Sequence, residues 1–486
     1  MRRISVTTFL LVALLCVPAA RSQSTSGQGG TTATQPEQPI SGTTASPSGS
    51  SNGSGAVPAG RSIFGGGDSS QEADQTESLP LSGAEKLVVP GSQTNDFFDA
   101  SVLASVSGYS DVTNAQGQQA LGVNEVIGGQ LLFDRTWKDN HFSLAYTGGG
   151  TLFQPSALYP AAMYQTLSLA QSFGWKRWNL RLMDQASYSP NSLFGGAGIG
   201  GPGLLSETGL GSSFNPTYSS TNTILTNQTR ILNNSAVVEI QYDLSRRSSF
   251  TVNGSAELLD YLKGGYIDSH DYVGGAGYNY MLSPKDTLAV TYTLSQTYYV
   301  GSPKSLEVQQ INLAYSRELT GRLMFQVAGG PELIAFHGYT PSVGNSLTWD
   351  VNVGLQYRLR RTSFGVSYSR GANAGSGVYF GSDTQDVTGS VSHQFSRTLV
   401  GAVSVGYSRN SSLASVPGVS NQYQNYYGGV SLGRQLGQYS HLSFNYGVFQ
   451  QPTGGVCPVA SCGTSRLYQS FGIALDLHIH RVGFTE

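Results

Sequence analysis

The chain has 486 residues, of which 12% are charged, and its formal net charge is −2. A soluble domain usually carries about 25% charged residues, and a net charge near zero excludes the broad basic field that attracts nucleic acid. With 62 glycines, 27 tyrosines and 20 phenylalanines, the composition is typical of an all-β protein whose exterior faces something other than water.

The first 22 residues have the pattern of a secretory signal peptide. Arg2 and Arg3 form a basic start, residues 9–17 form a short apolar run, and residues 20–22 provide a suitable cleavage site. The alternative is a membrane anchor, which needs about 20 apolar residues and therefore a longer run than this one. We expect residues 1–22 to be removed on export.

Residues 23–96 are dominated by Ser, Thr, Gly, Gln and Pro. Such a segment buries too little apolar surface to offset the entropy lost on ordering. It is therefore expected to be a disordered segment, followed by a folded region over residues 97–486.

From residue 97 onward, apolar and polar residues alternate. In "LTWDVNVGLQYRL", Trp349, Val351 and Val353 fall on one face, whereas Asp350 and Asn352 fall on the other. Such period-2 segments predict strands of about 9 to 13 residues, and a tilted membrane-spanning strand needs about 9 to 11. A soluble β-propeller is the competing fold, but it requires shorter and less one-sided strands.

Short basic turns alternate with long Gly- and Ser-rich loops along this region, and together they delimit about 18 strands. The segment "GWKRW" places Trp175 and Trp178 on either side of two cations. Tryptophans at headgroup level, with cations just beyond them in water, form the aromatic girdle of a membrane barrel. We predict girdle positions for Trp175, Trp178, Trp349 and Tyr357.

Two places do not fit the alternation. Asp184 falls on the apolar phase of its strand, and the segment "NQYQNYYGGVSLGRQ" has a weak phase. A β-bulge shifts the register by one residue and would account for either departure.

The signal peptide, long alternating strands, girdle aromatics and asymmetric connections resemble the porin-like outer-membrane β-barrels of Gram-negative bacteria. The resemblance covers residues 97 to the C-terminus. It implies a transmembrane antiparallel up-and-down barrel in the outer membrane, with periplasmic N- and C-termini. It also implies contact with outer-membrane lipid and the barrel assembly machinery, and leaves homo-oligomers open. Such barrels commonly end on an aromatic residue, whereas here Phe484 precedes a two-residue tail.

Two motifs suggest enzymatic chemistry but lack the context that it needs. The GxGxxG pattern at Gly196, Gly198 and Gly201 is in the longest loop, without the βαβ unit of a dinucleotide site. The GxSxG pattern around Ser431 lies within a predicted strand and not at a strand-to-helix turn. We therefore expect no enzyme and no cofactor.

Cys457 and Cys462 are the cysteines that remain after signal cleavage. In an exported chain such a pair favours a disulfide. A metal site is the alternative, but the pair lacks nearby His or Asp ligands. His478 and His480 share one strand face with Asp476, and a wet interior explains them without a metal.

The polar phase of the strands predicts the residues that line the lumen. Across the polar phase as a whole, Ser, Thr, Asn, Gln and Tyr predominate, so we expect weak ion selectivity. The predicted lining residues are Arg181, Glu239, Gln241, Asn253, Glu257, Asp350, Asn352, Arg358, Gln394 and Asn445.

A barrel of this size is too wide for its own side chains to fill, which favours a channel for passive diffusion of small hydrophilic, mostly neutral solutes. Loop 189–232 is the expected constriction, since loops of this length are usually functional. The alternatives are an occluded receptor, adhesin or structural barrel, and a conduit for neutral polysaccharide export.

Overall fold

The structure is a computed structural model that describes residues 97–113, 119–137, 140–154, 162–189, 230–262, 267–339, 342–374, 379–414, 422–437, 439–451, 466–478 and 482–483. Regular secondary structure in these residues is entirely β. No helix in the described part of the chain is long and apolar enough to cross a membrane.

Eighteen long strands and one short one follow each other along the chain. They are β1 (Phe97–Thr113), β2 (Gln119–Trp137), β3 (Asn140–Gln154), β4 (Ala162–Trp175), β5 (Trp178–Ser189), β6 (Ile231–Ser245), β7 (Ser248–Tyr261), β8 (Ser269–Ser283), β9 (Asp286–Tyr299), β10 (Ser305–Thr320), β11 (Leu323–His337), β12 (Ser346–Arg358), β13 (Thr362–Asn373), β14 (Ser382–Gln394), β15 (Leu399–Ser412), β16 (Gln422–Gln435), β17 (Ser440–Gln451), β18 (Arg466–His478) and β19 (Val482–Gly483).

Each long strand pairs antiparallel with its neighbours in sequence, and the sheet closes on itself. Strand β1 pairs with β2 on one edge and with β18 on the other, where Ser101 is opposite His478. The two residues of β19 pair with Phe97 and Phe98 and extend this closing seam. The chain therefore forms a closed up-and-down barrel of 18 strands, as the sequence predicted.

Strict alternation along the strands gives the barrel two different faces. Large apolar side chains point outward and stay exposed, among them Ile127 (67%) and Leu347 (72%). Polar side chains such as Ser249, Asn279 and Glu332 point inward and are buried. An exposed apolar exterior around a polar interior is the arrangement expected of a barrel surrounded by lipid.

The connections divide the barrel into two ends. Connections of two to four residues, such as the one between β4 and β5, alternate with connections of five residues or more, the longest joining β5 to β6. The start of β1 and the end of β18 lie at the end with the short turns, because each of these strands is joined to its neighbour by a longer loop. The predicted rhythm of short and long connections is therefore confirmed.

The bulge as an explanation for Asp184 and for the segment 421–435 is wrong. Strand β5 keeps continuous register with β4 and β6, and β16 keeps continuous register with β15 and β17. Asp184 therefore remains on the outer face, where Asn234 Nδ2 donates a hydrogen bond to its carboxylate at 3.0 Å. The register shifts lie elsewhere, for example between Tyr109 and Val112 on β1.

Candidate functional site

The ten residues predicted to line the lumen share the inward-facing phase of their strands. Cross-strand pairing puts Arg181, Glu239 and Asn253 in one row across β5, β6 and β7. Asp350 and Asn352 alternate with outward-facing Trp349 on β12. By the same register, Gln241, Glu257, Arg358, Gln394 and Asn445 lie on this phase.

Carboxylates outnumber arginines on the inner face. Among the inward-facing residues whose side chains the structure describes, the arginines are Arg181 on β5 and Arg358 on β12. The sequence-based expectation of weak ion selectivity underestimates how many acidic residues share this face. They include Asp99, Asp134, Glu239, Asp243, Glu257, Asp271, Glu332, Asp350, Asp386 and Asp476.

Hydrogen bonds between neighbouring strands organise much of this inner wall. Asp271 on β8 accepts hydrogen bonds from Ser295 (2.9 Å) and Thr297 (2.8 Å) on β9. Asn279 donates to Ser249 and Thr251 on β7, both at 3.1 Å. Such bonds hold the polar side chains against the wall and stabilise their orientation.

Two inner-wall histidines contact carboxylates. His141 lies 3.0 Å from Asp134, and His478 lies 3.1 Å from Asp476 and 3.3 Å from Asp99. The described residues include no group of three or more His, Cys, Asp or Glu arranged to hold a metal. His480 lies outside the described residues. His478 therefore lies between the carboxylates of Asp476 and Asp99.

An apolar cluster lies inside the barrel at the long-loop end, and we call it the apolar cap. Its buried members come from β9, β10, β11 and β13, and partly buried residues from β11 and the adjoining loops pack against them. Because Leu306, Val308 and Ile334 have the inward-facing phase, the cap occupies lumen space on one side of this mouth. It comprises Ile267, Tyr299, Leu306, Val308, Ile334, Phe336, Ala372, Phe380 and Leu413.

Three loops close over the apolar cap. Phe380, after β13, meets the Tyr299 ring edge-on with a centroid separation of 5.0 Å. Lys304 Nζ, after β9, lies 3.9 Å from the centre of the Phe380 ring, a cation–π contact. Tyr339, after β11, donates a hydrogen bond to the Phe380 carbonyl at 3.0 Å. Burial raises the pKa of Tyr339 to about 12, so its hydroxyl keeps the proton that it donates.

Beneath the cap, side chains from alternate strands meet across a glycine. Asn312 on β10 donates from Nδ2 to Asp350 Oδ2 on β12 at 2.8 Å, although β11 lies between them. The intervening residue on β11 is Gly330, which pairs with Asp350. A Cβ on Gly330 would overlap the Ile311 carbonyl oxygen and lie 2.9 Å from Asn312 Oδ1, so only glycine leaves room for this contact.

Glu332 occupies the next row of the same patch. Its carboxylate is fully buried, accepts from Gln310 Nε2 at 2.6 Å and accepts from the backbone amide of Ala372 at 3.2 Å. Ala372 is on β13, two strands away, so this bond brings the end of β13 inward beneath the cap. A buried carboxylate thus connects the wall to the loop that covers it.

Another glycine, Gly406 on β15, also lies between side chains from the flanking strands. Tyr427 on β16 lies across Gly406, where an added Cβ would overlap its ring, and its hydroxyl lies 3.3 Å from Asp386 on β14. The aromatic ring therefore covers the space that a side chain at position 406 would take.

The predicted girdle residues are all on the outer face. Trp175, Trp178 and Tyr357 lie near the short turns, and Trp178 contacts the Tyr242 ring at 4.5 Å between centroids. Trp349 lies toward the opposite end of β12 and is 60% exposed. Their girdle role remains a prediction.

The outer face also carries a groove of about 830 Å³ near the long-loop ends of β2 to β5. Ile127, Leu152 and Met163 give it an apolar lining, with Glu125 and Arg230 among its polar members. Its place on the lipid-facing side separates it from the lumen.

Several predicted features lie outside the described residues. They are the segments 1–22 and 23–96, Cys457 and Cys462, the GxGxxG glycines and positions 190–229 of the expected constriction loop. Ser431 lies inside β16. Sequence reasoning missed the cap, although "VYF" at 378–380 is an apolar signal within a loop otherwise rich in Gly and Ser.

A closed 18-stranded antiparallel barrel, apolar outside and polar inside, is the architecture of the porin-like outer-membrane β-barrels. This class follows from the strand pairing and the surface of the chain itself. No family model matches the sequence, and no curated protein matches it either.

Solved structures that are similar to this chain at low sequence identity include the following three. One is opdK from Pseudomonas aeruginosa, with 10% identity, a TM-score of 0.40 and coverage of 79% of this chain and 99% of that one. A second is OccK2 (OpdF) of the same organism in complex with glucuronate, with 9% identity, a TM-score of 0.40 and coverage of 80% of this chain and 98% of that one. A third is OccAB4 from Acinetobacter baumannii, with 9% identity, a TM-score of 0.40 and coverage of 81% of this chain and 100% of that one.

Proposed function

We propose that the protein is an outer-membrane channel for the passive diffusion of small hydrophilic, mostly neutral solutes. One observation carries the proposal: 18 strands close around a polar inner wall while large apolar side chains cover the outside. A barrel of this strand number encloses more space than its own side chains fill. Hydroxyl and amide groups along the wall offer hydrogen bonds to passing solutes in place of water.

The direct test is conductance of the purified full-length protein in a planar lipid bilayer. Heat-dependent migration on a denaturing gel first establishes that the sample is folded. We expect stepwise insertion events with a constant unit conductance, and uptake of neutral sugars into protein-loaded liposomes. A folded barrel that inserts and stays electrically silent contradicts the open channel.

The apolar cap provides a second test of the same proposal. The Phe380→Ala change removes the ring that packs on Tyr299 and makes the cation–π contact with Lys304. The mouth of the barrel should therefore widen, and the unit conductance should rise. The matched control is Phe364→Ala, which removes a phenylalanine from the outer face of β13 and should leave conductance unchanged. Equal conductance in both variants would contradict a constricting cap.

The cap also favours one alternative, a barrel occluded at rest. Its core residues are almost fully buried, with Leu306 at 1% and Ile334 at 0% exposure. An occluded receptor or structural barrel should be silent as purified and should begin to conduct in the Phe380→Ala variant. The same recordings therefore separate the two functions.

We also propose the finer details of location and assembly. Residues 1–22 are cleaved on export, residues 23–96 and both chain ends face the periplasm, and insertion uses the barrel assembly machinery. Mass spectrometry of the mature protein tests cleavage, and protease protection in intact cells tests the side on which the segment 23–96 lies. Native mass spectrometry in detergent tests whether the barrel forms homo-oligomers.

A further inference from the structure

On the inner wall, four polar side chains of β10, β11 and β12 meet around Gly330, and we call this place the recess. Gln310 pairs with Glu332, and in the next row Gly330 pairs with Asp350 while Asn312 reaches across to the same carboxylate. These four side chains surround a position that has no side chain of its own. All four are buried, with exposures from 0% to 3%.

The recess is lined by oxygen atoms without matching donors. Gln310 and Asn312 each turn their NH₂ group toward a carboxylate, and the oxygens Gln310 Oε1 and Asn312 Oδ1 have no hydrogen-bond partner among the described residues. Leaving a buried polar atom unpaired is energetically unfavourable. Two such atoms beside two carboxylates indicate a site built for a positive ligand.

A backbone oxygen faces the same recess. The carbonyl oxygen of Ile311 lies where a Cβ of Gly330 would be, which is on the lumen side of the wall. Opposite Ile311 is Pro331, which has no N–H to donate to the sheet, and the paired register of β10 and β11 is interrupted between Gln310 and Leu313. The Ile311 carbonyl oxygen therefore lies beside Gly330 where the pairing of β10 and β11 is incomplete.

Two carboxylates within one buried patch also need compensation. Glu332 and Asp350 are diagonal neighbours on adjacent strands, a relationship that places side chains within about 7–8 Å. The nearby guanidinium of Arg370 is engaged by Asp383 at 3.1 Å and by Thr348 at 3.4 Å. The negative charge of the pair is therefore not matched by a direct ion pair with this arginine.

We propose that this recess binds a hard divalent metal cation of the calcium class through Glu332, Asp350, the amide oxygens of Gln310 and Asn312, and the Ile311 carbonyl. Calcium takes six to eight oxygen ligands at about 2.3–2.6 Å, and carboxylates and carbonyls favour hard cations over softer metals. Because Glu332 also accepts from Ala372, the bound ion stabilises the inward position of β13 and the apolar cap.

The test is a cation titration of the folded full-length barrel in detergent after treatment with EDTA. Terbium is the luminescent probe, because Trp349 is adjacent to Asp350 in the chain and sensitises its emission. Calcium should displace it, and calcium alone should raise the thermal unfolding midpoint. We expect one saturable site with a dissociation constant below about 1 mM, within the range of extracellular calcium sites. Absence of saturable binding overturns the proposal.

Three variants locate the site. Asp350→Asn and Glu332→Gln keep the shape of the side chain and should each weaken calcium binding about tenfold or more, as expected when a ligating charge is removed. The matched control Asp386→Asn changes an inward-facing carboxylate on β14 and should bind like the wild type. Undiminished binding in both Asp350→Asn and Glu332→Gln, or an equal loss in Asp386→Asn, overturns the assignment. The readout is independent of conductance, so a silent barrel leaves it intact.

Discussion

Two glycines on the inner wall each leave a position without a side chain, but different groups lie over the two positions. At Gly330 on β11 and at Gly406 on β15, the missing side chain lets residues from the flanking strands meet across the middle strand. Over Gly406 the ring of Tyr427 fills the space, whereas over Gly330 short amide and carboxylate side chains surround it. A glycine in a barrel wall thus produces either a covered surface or a recess, and the residue on the neighbouring strand decides which.

The largest expected effect is that of Gly330→Ala. Its Cβ would overlap the Ile311 carbonyl, so backbone of β10 or β11 has to move, and overpacking of this kind costs about 1–3 kcal/mol. We expect the lowest thermal midpoint of the series, measured as loss of heat-dependent gel migration. The control is Gly274→Ala on β8, where nothing lies within 4 Å of the added carbon. Equal stability of the two variants would refute the close approach.

Gly406→Ala should come next, with a loss of about 1–2 kcal/mol. The added carbon meets a side chain rather than backbone, and the Tyr427 ring can turn away. Placing Gly406→Ala in a Tyr427→Ala background should remove most of the loss, which a double-mutant cycle measures. An undiminished loss in that background would mean that the ring does not cover Gly406.

An effect of similar size and opposite sign is expected for Asp350→Asn without divalent cations. The substitution keeps the side-chain shape and removes a charge close to Glu332, so the barrel should gain about 1–2 kcal/mol in EDTA. Added calcium should reverse the order, because only the wild type keeps both carboxylates. Unfolding midpoints with and without calcium provide the measurement, and a variant less stable than the wild type in EDTA would contradict it.

Tyr427→Phe should have the smallest effect. It removes the hydroxyl that lies 3.3 Å from Asp386 and leaves the ring over Gly406, so we expect a loss of about 0.5–1 kcal/mol. Urea unfolding in micelles is sensitive enough to compare it with the wild type. A loss as large as that of Gly406→Ala would mean that the hydrogen bond, and not the ring, holds this part of the wall.

The barrel was predictable because its evidence is local: alternation identifies the strands, and Trp175, Trp178 and the short basic turns mark where strands end. The Gly330 recess was not, because Gln310, Glu332 and Asp350 lie on three strands and meet only through their register. The sequence does carry one hint, Pro331 within a strand, which signals an interrupted ladder.

The prediction for Asp184 failed for a different reason. A single outward acid in an apolar strand suggested a slipped register, but its partner Asn234 is 50 positions away on β6. Pairing satisfies the polar group without changing the backbone. The disulfide, the signal peptide and the girdle and pore-lining roles remain predictions.

The seam between β1 and β18 determines when the cylinder can be completed. Ser101 meets His478, so the bonds that close the circle join almost the two extremes of the folded region. Contacts this distant in sequence form slowly because they require most of the chain to be ordered first. Until β18, which begins at Arg466, pairs with both of them, β1 and β17 have unpaired edges that can pair with strands of other molecules. A polypeptide interrupted before this point would therefore be prone to aggregate, even with seventeen sound strands.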